Sequence, residues 1–147
     1  MARNPARLWR DCRGTSVLET AVIVPVLVLL VCGAADASLG FAQKLRVQQA
    51  ADRAVQFALN AGLTTATHTM IQNEAVVSAG VPAANVTVTF WLECNNVVQA
   101  NFNGTCPSSP PARYVSVAVS DSYSPRFTRL FAASPISLQG FAEGRLQ

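Results

Sequence analysis

RGTSVLETAVIVPVLVLLVCGAADASLGF, residues 13–41, decides how the rest of the chain is read. From Val17 to Phe41 it is almost wholly apolar. At 1.5 Å per residue a helix of that length crosses a bilayer core of about 30 Å. Arg3, Arg7, Arg10 and Arg13 precede it. A basic flank before a first apolar run holds the N-terminus in the cytoplasm and sends the C-terminal side out. Two residues interrupt the run, Glu19 near its start and Pro25 in its middle. A carboxylate in hydrocarbon is costly unless partnered, which marks Glu19 as functional; the plainer alternative leaves it idle at headgroup level. Pro25 removes the hydrogen bond to the Ala21 carbonyl and predicts a bend, which membrane helices tolerate.

The spacing around Glu19 narrows the reading. If a peptidase cut after Gly14, Thr15 would become the N-terminus and Glu19 the fifth residue of the mature chain. Arg13-Gly14-Thr15-Ser16-Val17-Leu18-Glu19 resembles a type IV prepilin leader: a short basic segment, Gly at the cut, Glu at the fifth mature position, then an apolar helix. Glu19-Thr20-Ala21-Val22-Ile23-Val24-Pro25, followed by Gln48-Gln49-Ala50-Ala51-Asp52-Arg53-Ala54, is similar to the TadE-like family of minor pilins, or pseudopilins, of the tight-adherence (Flp) pilus system. The resemblance is strong over the first third of the chain and holds beyond it only in outline. Thr20 stands where the major pilins of that system usually carry Tyr, which argues against a major pilin. The resemblance implies processing by a prepilin peptidase at Gly14, Thr15 and Glu19. It also implies partnership with other pilins or pseudopilins and the Tad secretion platform, and local melting at Pro25 during assembly.

Composition sets the frame. The 147 residues are 50% hydrophobic and 13% charged, with a mean hydropathy of +0.28, enough for one anchor and one small domain. The net charge of +3 resides in the basic leader: without residues 1–14, which hold four Arg and one Asp, 11 − 4 basic and 8 − 1 acidic residues leave seven of each sign. The basic pI therefore carries no nucleic-acid signal. Of the four cysteines, Cys12 lies in the leader and Cys32 in the apolar run. Cys94 and Cys106 fall on the outer side and read as a disulfide in an oxidising compartment. Zinc does not suit their spacing, and the single histidine, His68, is far off in sequence.

Outward from the anchor, helical spacing continues. Arg46, Gln49, Arg53, Gln56 and Asn60 share one face; Val47, Ala51, Ala54, Val55 and Ala58 share the opposite one. The helix is expected to run to Asn60 and stop at Gly62. Gly33, Ala37 and Gly40 form a small-residue strip suited to close helix packing, and Asp36 is expected to reach water at the outer end. A second helix is expected over Thr64 to Ala79, buried through Met70, Ile71, Val76 and Val77 and ended by Gly80 and Pro82. Three strands follow: Val86 to Leu92, Tyr114 to Ser120, and a weaker Ile136 to Arg145 with Ile136 and Leu138 on one face and a bulge at Gly140. A polar loop from Glu93 to Arg113 carries the two cysteines, and Pro125 to Ala132 forms a helical turn placing Phe127, Leu130 and Phe131 in the core.

The expected fold class is α+β, pilin-like: a transmembrane helix continuing as an amphipathic stem packed on a small antiparallel sheet. The expected division is a leader over 1–14, the membrane helix over 15–41 and an extracytoplasmic domain over 42–147, single-pass in the inner membrane with the N-terminus inside. No nucleophile-elbow or phosphate-loop pattern is present, and Glu74, Glu93, Asp121 and Glu143 are scattered, so no enzyme, cofactor, metal or small-molecule substrate is expected. Asn85-Val86-Thr87 and Asn103-Gly104-Thr105 match the glycosylation pattern, which carries little weight in the bacterial protein that the resemblance implies.

Two rivals remain. Ala35-Asp36-Ala37 fits a signal-peptidase site, which would release a secreted domain starting at Ser38; a lipoprotein cut before Cys32 is weaker, since Leu29-Leu30-Val31 lacks the usual small residue. The other rival is an uncut signal anchor carrying an extracytoplasmic binding domain.

Overall fold

The computed structural model of the protein describes residues 15–61, 65–127 and 134–146. The leader, Gly14, Gly62, Leu130 and Phe131 lie outside the described residues. The chain opens in one unbroken helix, α1, Thr15–Ala61, which runs through Pro25 and reaches about 70 Å at 1.5 Å per residue. A second helix, α2, Thr65–Ala79, ends where Gly80 takes a φ of 70° and donates its N–H to the Val76 carbonyl, 2.9 Å away. Only glycine takes that left-handed conformation without a Cβ penalty. Pro82 and a short 3-10 turn, Ala83–Asn85, then lead into the sheet.

The sheet has four strands, β1 (Val86–Cys94), β2 (Val97–Gln99), β3 (Ala112–Tyr123) and β4 (Ile136–Arg145), in the order β2-β1-β3-β4 with every pair antiparallel. The fold is α+β. β2 was not expected. It forms a hairpin with β1 through Asn95 and Asn96, whose φ values of 52° and 62° are the left-handed pair demanded by a two-residue turn. Val115, Val117 and Val119 alternate along the central strand and are fully buried, as their period of two predicts. Val86 and Leu92 of β1 join them on the same face.

Both helices cover that face. The stem stripe is as expected: Val47, Ala51, Ala54, Val55 and Ala58 are buried, while Arg46, Gln49, Arg53, Gln56 and Asn60 are exposed. On α2 the buried side differs from expectation. Ile71, Ala75 and Ala79, spaced by four, face the core; Met70 and Val77 face out. Small alanines let α2 approach the stem closely, so the larger Met70 and Val77 lie on the other side. Ile136 and Phe127 are likewise exposed, and Phe127 sits in a bend.

Gly140 is not a bulge. The β3–β4 register passes through Val119↔Gly140 and Ala118↔Phe141 without a break. Gly140 is where the stem backbone crosses β4: a Cβ there would lie 2.6 Å from the Val47 carbonyl carbon and 2.8 Å from the Gln48 nitrogen. At Gly144 the same atom would meet Val55 Cγ1 at 2.7 Å. Together with buried Ala142, these residues make β4 thin enough for the helix to rest on its backbone.

Candidate functional site: the anchor helix and its junction with the domain

α1 has two halves with opposite surroundings. From Val22 to Val31 every side chain is exposed, although nearly all are large and apolar. The helix that carries this run, Glu19–Ala61, is long and apolar enough to cross a membrane by length and composition, and 6% of its most apolar window is covered by the rest of the protein. An apolar surface of that extent in water would be a strong aggregation site. Glu19 is exposed three positions before that run, one before Thr20 and six before Pro25. Thr15 and Glu19 lie on the same helix, one turn of backbone apart. Residues four apart on a helix are neighbours on one face.

The change of surroundings comes at Asp36. This residue was expected to reach water, but it is 5% exposed. Its carboxylate accepts the Tyr123 hydroxyl at 3.2 Å and the Arg126 N–H at 2.8 Å, both on Oδ1. The Phe127 N–H reaches Oδ1 at 3.2 Å and Oδ2 at 3.0 Å. A carboxylate so placed joins the helix to the end of β3 and holds the following bend in shape. Burial first, and then the hydrogen bond and negative charge of Asp36, hold the Tyr123 phenol above its ordinary value of 10.0; the Arg126 charge pulls the other way. Gly40 completes the junction. A Cβ on it would stand 3.2 Å from the Tyr123 ring, so this glycine serves helix-to-sheet packing where helix-to-helix packing was expected.

Above the junction the stem does more than cover the sheet face. β4 is an edge strand, and side chains of α1 occupy its outer hydrogen-bonding groups. Lys44 Nζ donates to the Gln139 carbonyl. The Gln48 amide donates to the Phe141 carbonyl at 2.8 Å and accepts the Phe141 N–H at 3.3 Å, as an added strand would. Edge strands left bare invite pairing with other chains, and this arrangement closes one of them. Gln43 adds a bond to Asp121 Oδ2 at 2.5 Å. The run from Gln48 to Ala54 thus has a physical basis: Gln48 closes the edge while buried Ala50, Ala51 and Ala54 admit the glycine-thinned strand.

The far end of the domain is tied by the Cys94–Cys106 disulfide, with Cα atoms 5.5 Å apart. The bridge folds the polar loop back so that Phe102 meets Phe90 at 5.5 Å between ring centroids and Arg113 lies over Phe102. His68 is exposed, next to the Val88 carbonyl at 3.3 Å and the Phe90 ring, and among the described residues no cluster of His, Cys, Asp or Glu is arranged to hold a metal. Sequence reasoning missed Asp36, whose partners lie some 90 positions along the chain, and β2, whose only local signal was the Asn95-Asn96 pair.

No curated protein and no solved structure matches this chain. The family model described as TadE-like protein matches residues 14–59, which span the start of α1, the exposed apolar half, the Asp36 junction and the stem almost to its end. Over residues 14–59, then, the chain is similar to the TadE-like family.

Proposed function

We propose that the protein is a minor pilin, or pseudopilin, that supports assembly of a Flp (type IVb) pilus without catalysing a reaction itself. Its leader stays in the cytoplasm, α1 crosses the inner membrane, and the disulfide-tied domain stands outside. The observation that carries this reading is the division of one continuous helix: an exposed apolar half long enough for a bilayer, then a half that forms the core of an α+β domain. The span best suited to the bilayer is Val17 to Ala35, about 28 Å at 1.5 Å per residue, since Asp36 already belongs to the domain. The Asp36 junction also weighs against release by signal peptidase. A cut after Ala37 would remove the acceptor of the Tyr123 hydroxyl and of two backbone N–H groups.

In this reading a prepilin peptidase cuts after Gly14 and leaves an ammonium on Thr15. The Glu19 carboxylate pairs with that ammonium, within one subunit or on the next pilin. In low dielectric an unpaired partner is costly, so pairing between subunits selects one axial stagger. Glu19→Gln keeps the shape and removes the charge. The expected result is a protein that inserts, is cut and folds, in cells that fail to make pili. Normal pilus numbers in Glu19→Gln cells would make the carboxylate a tolerated interfacial residue and end this mechanism.

A further inference from the structure

The base of the domain, at the level of Asp36 to Phe41, holds a polar cavity of about 480 Å³ lined by Gln43, Ser122, Tyr123, Ser124, Pro125 and Arg126. That size falls within the roughly 300–1,000 Å³ of small-molecule sites. Among the described residues of the lining Arg126 supplies the cationic side chain, and its guanidinium has no hydrogen bond or ion pair to another described residue. Its backbone is fixed all the same, because the Arg126 N–H is held by Asp36. The two nearby carboxylates are engaged elsewhere: Asp36 is buried and accepts from the Tyr123 hydroxyl and the Arg126 and Phe127 N–H groups, and Asp121 bonds Gln43 and the Ser122 N–H. Around the cavity the domain exposes large apolar groups at the same height. Phe127 is 56% exposed, Phe41 64%, and Ile136, which pairs with Tyr123, 52%.

We propose that this cavity binds the headgroup of a phospholipid in the outer leaflet, with the Arg126 guanidinium on the phosphodiester and Phe127 in the interface. The inference rests on the reading of α1 as a membrane span, which sets the cavity at headgroup depth. A guanidinium fork matches phosphate oxygens in pairs, and one phosphodiester charge is balanced by one arginine. The uncharged hydroxyls of Ser122 and Ser124 suit a glycerol headgroup. Apolar side chains flanking a cation are the composition that lies stably at a bilayer surface. A domain gripped there cannot tilt or rise freely on its helix.

The test uses the full chain in phosphatidylglycerol nanodiscs, with lipid retained on the protein counted by native mass spectrometry after release. The expected result is a retained phosphatidylglycerol whose occupancy falls at least fivefold in Arg126→Gln, recovers in part in Arg126→Lys, and is unchanged in Arg46→Gln on the exposed stem. Ser124→Phe, which fills the cavity while leaving Arg126 in place, should lose the lipid as well. Disulfide content by mass and circular dichroism confirm that each variant is folded. Equal retention in wild type, Arg126→Gln and Ser124→Phe overturns the proposal, as does displacement of the lipid by inorganic phosphate, which would make the cavity a free-phosphate site. Resistance of the wild type to alkaline extraction is read in parallel: its loss defeats the membrane span itself, whereas resistance with equal retention defeats the headgroup site alone.

Discussion

Asp36 shows how one side chain can set where an anchor ends and a domain begins. Replacing it with Ala leaves the Tyr123 hydroxyl and two backbone N–H groups without their acceptor, at a cost of about 1–3 kcal/mol. Asp36→Asn retains one acceptor oxygen and should lose less. Thermal unfolding of the full chain in mild detergent measures both, and an Asp36→Ala protein as stable as wild type would make the junction incidental. The same contact has a predicted pH dependence. Tyr123 titrates above its ordinary value of 10.0 in the folded protein, so the folded state keeps a proton that the unfolded chain releases. Stability from this group is therefore complete below pH 10.0 and is lost as the pH climbs from there through the raised folded value. Tyr123→Phe, which cannot ionise, should remove that alkaline loss from a pH series of unfolding midpoints.

Among the elements, the crossing of α1 over β4 is the tightest joint. Gly140→Val would place side-chain carbon inside the van der Waals radius of the helix backbone at Val47 and Gln48. Backbone cannot rotate aside as a side chain can, so the helix must lift or the strand bend, a loss of about 1–3 kcal/mol or more. An unfolding midpoint equal to wild type would show that the stem does not rest on β4 as described. At the other end of the sheet, the Cys94–Cys106 bridge predicts that thiol labelling of the isolated protein, denatured but not reduced, marks neither position. Labelling at both would rule the bridge out. These elements differ in how far they could be read beforehand. The stem stripe was legible because both of its faces repeat at the helical period. The valines of β1 and β3 were legible because they alternate. Gly140 was misread because a lone glycine in a strand signals a bulge and a close backbone approach equally well. The buried face of α2 was misread because Ala75 and Ala79 weigh little beside Met70 and Val77, although smallness is what the site requires. The Asp36 junction was not legible at all, since nothing near residue 36 announces Tyr123 or Phe127.

At the scale of the whole molecule, one helix carries both the membrane surface and the largest share of the domain core. Val47, Ala51, Ala54 and Val55 of the core belong to the same rod as the exposed run from Val22 to Val31. The proposed cut after Gly14 leaves Asp36 and the stem on one chain. A cut after Ala37 severs the domain from Asp36. The proposed cut is read directly from the N-terminal residue of the protein isolated from its own membrane. The account predicts Thr15, from a cut after Gly14. Ser38 at the N-terminus, or a leader still in place on the assembled protein, would contradict it.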